Sequence, residues 1–231
     1  MSKYVLVSDI HGNYPALQKV VEAEGRDKEY IVLGDIHGLN AYPAETIDEL
    51  QLLNKKVTLA GNHDKALFEH GEGHVNSDEL SQFELYHTLS NLSVEQVKWM
   101  LKLPYMEVIE GSPRILATHA MPWPEKASGY EMGNAGIPKG NVPHFASIVA
   151  DDYDYVLHGH THEQYDLDCE RFGHPVTFVN PGSLGYQQEY AVVDTETGDV
   201  ELKEVESTDK EVVAHLKEVL PDDTPRVEKW Y

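Results

Sequence analysis

Tyr4-Val5-Leu6-Val7-Ser8-Asp9-Ile10-His11-Gly12-Asn13 runs from an apolar strand-like segment straight into two metal-type ligands and then a helix start. The same grammar recurs along the chain. Ile31-Val32-Leu33 leads into Gly34-Asp35, Lys56 to Ala60 into Gly61-Asn62-His63-Asp64, Arg114 to Thr118 into His119, and Tyr155 to His158 into Gly159-His160-Thr161-His162. Asp-x-His and His-x-His each occur by chance, but five such clusters in order, each after an apolar run, do not. As candidate ligands they supply four His (His11, His119, His160, His162) and two Asp (Asp9, Asp35), with one carboxylate free to bridge. Neutral imidazole, carboxylate and amide oxygen suit divalent ions such as Mn²⁺, Fe²⁺ or Zn²⁺. Two such ions roughly 3.5–4 Å apart can generate a hydroxide nucleophile and clamp a phosphoryl group.

Outward from these clusters, the spacing predicts strands at Tyr4 to Ser8, Tyr30 to Leu33, Lys56 to Ala60, Arg114 to Thr118, Tyr155 to His158, Thr177 to Asn180, Tyr190 to Asp194 and Val200 to Val205. Helices are predicted at Tyr14 to Glu24, with Asn13 as cap and Pro15 in the first turn, and at Pro43 to Leu53. This β-α-β-α-β alternation predicts a parallel sheet with functional groups at the carboxyl ends of its strands. A third helix follows the capping-box pattern Ser93-Val94-Glu95-Gln96 and stops before Pro104. Glu110-Gly111-Ser112-Pro113 reads as a hairpin turn, and the strands from Thr177 onward, lacking helical spacers, predict a second sheet of mixed or antiparallel kind. Two mixed sheets with helices outside make an α/β sandwich. Met121 to Asn141, rich in Gly and Pro, reads as a long loop, either near the site or decorative.

The 231 residues are read as a domain over 1–206 followed by an acidic helix and tail over 207–231 that pack on the same domain. The helix spans Thr208 to Leu220 and the residues from Asp222 look frayed. No apolar segment reaches the length of a signal sequence or membrane span, so the expectation is a cytoplasmic protein with no membrane partner. One cysteine, Cys169, excludes an internal disulfide and any Cys-based zinc cluster, and is read as an inert thiol in a loop or strand. Forty acidic residues against 18 basic give a charge of −22, which argues against broad nucleic-acid binding and leaves a small phosphate ester at a cationic centre as the expected partner. Such acidity fits either a halophilic source, where salt screens self-repulsion, or an ordinary acidic cytosolic protein. The oligomeric state stays open, a homo-oligomer included.

Each cluster has its own chemistry. Asp9 and His11 alternate just past a strand, so an extended chain would point both side chains to one side, as it would His160 and His162. Taken alone, Asp9 could instead cap the next helix. Gly34 lets the backbone approach closely before Asp35, the best candidate for a bridging carboxylate. Asn62 offers a neutral amide oxygen that keeps two dications strong Lewis acids. His63 is then expected to face substrate, where it can bond a phosphate oxygen or protonate the leaving alkoxide; the alternative is a His that orients a ligand. His119 ends its strand. His158 is read as a core His, His37 as a loop or supporting group, and His70, His74, His87, His144, His174 and His215 as surface residues.

The order D-x-H, G-D, G-N-H-D, lone H and G-H-x-H, spanning residues 5–194, resembles the calcineurin-like metallophosphoesterase superfamily. Ser8-Asp9-Ile10-His11-Gly12-Asn13 and Asn180-Pro181-Gly182-Ser183 look like its small bacterial and archaeal phosphodiesterase-like branch. The resemblance implies a four-layer α/β/β/α sandwich and two divalent ions, Mn²⁺ foremost, with Fe, Zn or Ni as alternatives. Asp9, His11, Asp35 and His162 would hold one ion, and Asp35, Asn62, His119 and His160 the other. His63 matches the family's catalytic His, acting beside attack by a metal-bridging hydroxide. One departure matters: the protein phosphatase branch reads G-D-x-x-D-R-G, whereas Gly38 and Leu39 stand here. With only four arginines, Arg26, Arg114, Arg171 and Arg226, a multi-Arg phosphate clamp is disfavoured. The expected activity is a phosphodiesterase on a small or nucleotide-derived ester. Alternatives are a dinucleoside polyphosphate hydrolase, a phosphomonoesterase, or a non-catalytic scaffold, the last opposed by His63.

Overall fold

Val5 and Val7 face one way along the first strand and Tyr4 and Leu6 the other, and that alternation builds two apolar layers instead of one. A computed structural model of the protein describes residues 3–38, 40, 42–69, 86–121, 136–148, 153–171 and 173–206. Strands are β1 (Lys3–Val7), β2 (Glu29–Val32), β3 (Lys55–Thr58), β4 (Met106–Ile109), β5 (Ile115–Thr118), β6 (Tyr155–Leu157), β7 (Tyr165–Arg171), β8 (His174–Asn180), β9 (Glu189–Asp194) and β10 (Asp199–Glu204). Helices α1 (Tyr14–Glu24), α2 (Pro43–Leu52) and α3 (Asn62–Glu69) are followed by Val94–Met100 and Val142–Ile148.

The strands form two five-stranded sheets, ordered β10-β9-β1-β2-β3 and β4-β5-β6-β8-β7. Both are mixed. β1-β2-β3 and β5-β6-β8 are parallel, while β9, β10, β4 and β7 pair antiparallel at their flanks. Val5, Val7, Tyr30 and Val32 pack under Leu17, Val20, Ile47 and Leu50 of α1 and α2. Tyr4, Leu6, Ile31 and Leu33 meet Ile115, Ala117, Leu157 and Val179 between the sheets. On the far side, Leu116, Val156 and Phe178 bury Val142, Phe145 and Ala146. The result is the α/β/β/α sandwich with two mixed sheets. Each fully buried Leu, Ile or Val contributes roughly 1.5–3 kcal/mol, which makes the shared central layer the element that locks one sheet onto the other.

The helix signals act as expected. Asn13 accepts from Ala16 N at 3.2 Å, and α1 ends at Gly25 with φ 94°. At Ser93 both capping-box bonds form, and Gln96 Nε2 also reaches Ala44 O (3.1 Å) and Asp48 Oδ1 (2.8 Å), latching that helix to α2.

Three expectations need correction. The strands after Thr177 do not make one sheet: β8, which begins at His174, joins the β4–β7 sheet, while β9 and β10 cross back to pair with β1. Strand β7 went unrecognised because Asp166, Asp168 and Glu170 interrupt its apolar residues; only Tyr165, Leu167 and Cys169 turn to the core, as suits a charged edge strand. The helix Val142–Ile148 and the helical residues 86–91 fell in stretches without a readable period. Cys169 lies in β7, where burial pushes its thiol up and away from the reactive thiolate. The loop expected at Met121 to Asn141 is described only at Met121 and from 136, where Lys139–Asn141 forms a 3-10 turn, and the helix and tail expected over 207–231 lie outside the described residues. Among those described, no helix is long and apolar enough to cross a membrane.

Candidate metal centre

Both parallel segments aim their carboxyl ends at one edge of the sandwich, and the connections leaving them carry every candidate ligand. The backbone there is unusual. Asp9 (φ 52°), His11 (49°), Asp35 (50°), His160 (69°) and His162 (56°) are all left-handed. That region costs an L-residue roughly 1–2 kcal/mol, less for Asp and His than for branched side chains. Strand alternation is therefore not what brings Asp9 beside His11 or His160 beside His162, as expected from the sequence; tight turns past the strand ends do. Interlocking backbone bonds hold those turns: Asp9 N to Gly34 O (3.0 Å), His11 N to Asp35 O (2.9 Å) and Gly159 N to His119 O (3.0 Å). Gly34 has φ 99°, and a Cβ on it would stand 2.7 Å from Gly61 N, so the approach of the β2 and β3 ends depends on its having none.

The seven residues come together as two adjacent groups with Asn62 beside the second. Asp9, His11 and His162 offer ligand atoms within 4.8 Å of one another, as do Asp35, His119 and His160. Asp35 Oδ2 lies 3.4 Å from His119 Nε2 and 3.9 Å from His11 Nε2, between the groups. Asn62 Oδ1 sits 3.0 Å from His119 Nε2 and 2.7 Å from His160 Nδ1.

Tautomers make the arrangement diagnostic. Carbonyls only accept, so His11 Nδ1 donates to His37 O (3.3 Å) and His119 Nδ1 to Leu33 O (2.7 Å). Each neutral ring then turns a bare Nε2 lone pair inward. His11 Nε2 faces His162 Nε2 at 3.3 Å, and His119 Nε2 faces His160 Nδ1 at 3.3 Å beside Asn62 Oδ1 and Asp35 Oδ2. Asp9 Oδ1, buried, approaches His162 Nε2 at 3.1 Å yet accepts no hydrogen bond of acceptable geometry. A bare Nε2 in each group beside carboxylate and amide oxygens is what a cation satisfies, and the N/O donor set fits divalent transition ions.

The electrostatics agree. Burial opposes ionisation of Asp35, but the His119 and His63 rings hold its pKa well below the usual carboxylate range. Burial likewise disfavours a charged His119, and Asp35 and Asp9 overcome it, raising its pKa to about 9. His11 falls to about 4, by burial and then by His63. In metal-free protein, a proton on His119 would partly take a cation's place.

His63 is not remote from the ligands. One of its ring nitrogens is within 4.8 Å of ligand atoms of His11 and Asp35, its ring centroid is 4.9 Å from that of His11, and its N donates to Asp35 Oδ1 (2.9 Å).

Several supporting residues were not assigned from sequence. Ser8 Oγ and His160 N both donate to Asp9 Oδ2, at 2.6 and 3.0 Å, clamping the first sheet's ligand to the second sheet's loop. Asp64, fully buried, accepts from Gly61 N (2.8 Å), Ile36 N (3.0 Å) and His37 N (3.2 Å), tying the Asp35 turn to the start of α3. Burial raises its pKa, against the pull of His37 and the backbone N–H groups. His37 Nε2 donates to His63 O at 2.6 Å, the supporting role left open for it. Tyr186 stacks on His11 at 4.8 Å and 25° and lies 5.2 Å from His162. Asp64 was visible in Gly61-Asn62-His63-Asp64, but its contacts were not; Tyr186 carried no signal. His158 is a core His, bonded to Tyr165 Oη at 2.8 Å. His144 is exposed, His87 and His174 are half-buried, and His70, His74 and His215 lie outside the described residues. Gly136 abuts His160, so one end of the 121–141 segment does reach the centre.

A family model described as the calcineurin-like phosphoesterase superfamily domain matches residues 3–198. No curated protein matches the chain. Similar solved structures include a metallophosphoesterase from Sphaerobacter thermophilus (22% identity, 99% of each chain covered, TM-score 0.71). A hypothetical protein from Pyrococcus horikoshii OT3 is also similar (24% identity, 100% of this chain and 98% of that one, TM-score 0.75). So is a putative diadenosine tetraphosphatase (16% identity, 87% and 92%, TM-score 0.61).

Proposed function

The chain belongs to the calcineurin-like phosphoesterase superfamily, and from that premise we propose that it is a metal-dependent phosphodiesterase acting on small or nucleotide-derived esters. The observation that carries this reading is the pair of ligand groups flanking Asp35 Oδ2, each with one imidazole Nε2 turned inward by a carbonyl held at its Nδ1. In the assignment we favour, Asp9, His11, Asp35 and His162 would hold one ion and Asp35, Asn62, His119 and His160 the other. Two divalent ions, Mn²⁺ foremost, would supply a water of lowered pKa and neutralise phosphoryl charge.

The chain's own residues do the rest. Asp9 and Asp35 are kept as carboxylates by the surrounding rings, and the neutral Asn62 limits the negative charge facing an anionic ester. His63, bonded through its N to Asp35 and through its carbonyl to His37, is held at the rim, where its imidazole protonates the departing alkoxide. Such a proton transfer contributes typically 10²–10⁴-fold. Gly38 and Leu39 stand where protein phosphatases carry Asp and Arg, which favours small esters over phosphoproteins. Retention of His63 favours an enzyme over a scaffold.

The test is hydrolysis of bis(p-nitrophenyl) phosphate by purified protein with Mn²⁺. Turnover abolished by chelator, restored by Mn²⁺ and lost in Asp35→Asn is expected. Absence of turnover on any aryl diester or monoester, with metal content unchanged by Asp35→Asn, overturns the reading.

A further inference from the structure

Beside the Asn62–His119 pair the surface opens into a recess of about 290 Å³, counting the part open to solvent, between the start of α3, the start of β4 and the segment after β5. It shares two walls with the candidate metal centre, since Asn62 and His119 line both. Its floor is apolar: Ala60, Ala120 and Met121 are buried there, and Tyr105 and Met106 form its outer wall. Tyr105 and Met106 are 38% and 39% exposed, two of the large apolar side chains open to water among the described residues, and they sit next to the candidate metal centre. Ala60 N donates to Pro104 O at 2.8 Å, fixing the Tyr105 segment against the end of β3.

Among the described residues that line it is the cation Lys65. Lys65 lies three residues after Asn62 on α3, so both project from the same helical face, and its Nζ stands 3.4 Å above the Tyr105 ring. That contact holds the ring as a wall and puts positive charge at the mouth of a site in a chain of net charge −22. Two thioethers and a phenol ring make an adaptable surface for a planar aromatic group. The recess is shallow and open to solvent on one side, so an occupant would lie against its wall and stay partly in water.

We propose that this recess binds the non-reacting ester group of a phosphodiester and selects an aromatic one, an aryl ring or a nucleobase, over an alkyl group. The inference rests on the phosphodiesterase reading and adds the substrate class to it. With the ester phosphorus at the ligand cluster, one ester arm passes Asn62 and His119 into the recess, against Tyr105, Met106 and Met121.

The test compares two esters with the same leaving group, bis(p-nitrophenyl) phosphate and methyl p-nitrophenyl phosphate, on Mn²⁺-loaded protein. The kcat/KM ratio of aryl to methyl substrate in the wild type should exceed that of Tyr105→Ala and of Met106→Ala about five- to tenfold. Tyr105→Phe should keep the wild-type ratio. Thymidine 5′-(p-nitrophenyl) phosphate in the same series tells a nucleobase from a simple aryl group as the better occupant. A second readout needs no turnover: calorimetric binding of phenylphosphonate against methylphosphonate, where the phenyl compound should bind more tightly in the wild type and lose that advantage in Tyr105→Ala. Hydrolysis with a ratio insensitive to Tyr105 and Met106 overturns the recess assignment and leaves the phosphodiesterase reading standing. A Tyr105-dependent preference for phenylphosphonate without hydrolysis supports the recess and overturns the phosphodiesterase. Neither hydrolysis nor preference overturns both.

Discussion

Asp64→Asn tests how the site is built, because that side chain touches no candidate ligand atom yet joins the two turns that carry them. The carboxylate accepts from three backbone N–H groups in a fully buried position, Oδ1 from Ile36 and His37 and Oδ2 from Gly61. An amide in its place keeps one acceptor. If its oxygen stays with Ile36 and His37, its NH₂ stands where Oδ2 was, 2.8 Å from Gly61 N, donor against donor. A buried donor left unpaired costs about 1–3 kcal/mol, and here two face each other. Relief of burying a charge returns part of this, since burial already raises the Asp64 pKa. The net loss should be about 2 kcal/mol, read as a lower urea midpoint at unchanged m-value in metal-free protein. The same uncoupling should weaken Mn²⁺ binding about tenfold, equivalent to about 1.4 kcal/mol. A stability change under about 0.5 kcal/mol with Mn²⁺ affinity intact would refute the reasoning that Asp64 fastens the Asp35 turn to α3.

Further outcomes follow from the same geometry. His63→Ala should lower kcat about 10²–10⁴-fold on an alkyl ester, whose alkoxide needs a proton, and far less on a p-nitrophenyl ester, with metal content unchanged; equal losses on both would contradict the proton-donor role. Because His119 has a pKa raised to about 9, its proton stabilises metal-free protein below about pH 6.5 and that contribution is lost as pH rises through 9. Metal binding has the opposite sign: it expels the proton, so Mn²⁺ affinity should rise about tenfold per pH unit between pH 7 and 8.5, as measured by competition with a chelator. A flat profile would refute the proton's place in the ligand cluster. With a net charge of −22, the thermal midpoint should climb from low salt to molar salt as the Debye length falls from about 10 Å to about 3 Å, if the acidity is an adaptation to salt; no rise would remove that account.

The candidate site was legible in the sequence because its ligands follow strand ends, where apolar runs stop abruptly at Asp9, Asp35, Asn62, His119 and His160. The layers were legible for a related reason: Val5 and Val7 alternate with Tyr4 and Leu6, so a strand covered on both faces announces two cores. What could not be read was partnership across distance. Whether β9 pairs with β1 or continues the β8 sheet depends on a crossover, and no local pattern encodes it. Strand β7 hid behind its outward acids. The left-handed turns at Asp9 and His160 are not legible because the i, i+2 spacing of an extended strand and of a tight turn are the same in letters. Tyr186 and Asp64 act through contacts with residues far away in the chain, His11 for one and Ile36 for the other, and those contacts exist only in the folded protein.

The most direct test of the metal centre is metal stoichiometry: elemental analysis of protein equilibrated with Mn²⁺ and freed of excess by gel filtration, in the wild type and in Asp35→Asn. Two ions per chain, falling to one or none on substitution of the carboxylate between the groups, is the predicted result. A wild-type chain that retains no divalent ion, or a content indifferent to Asp35, would contradict the account.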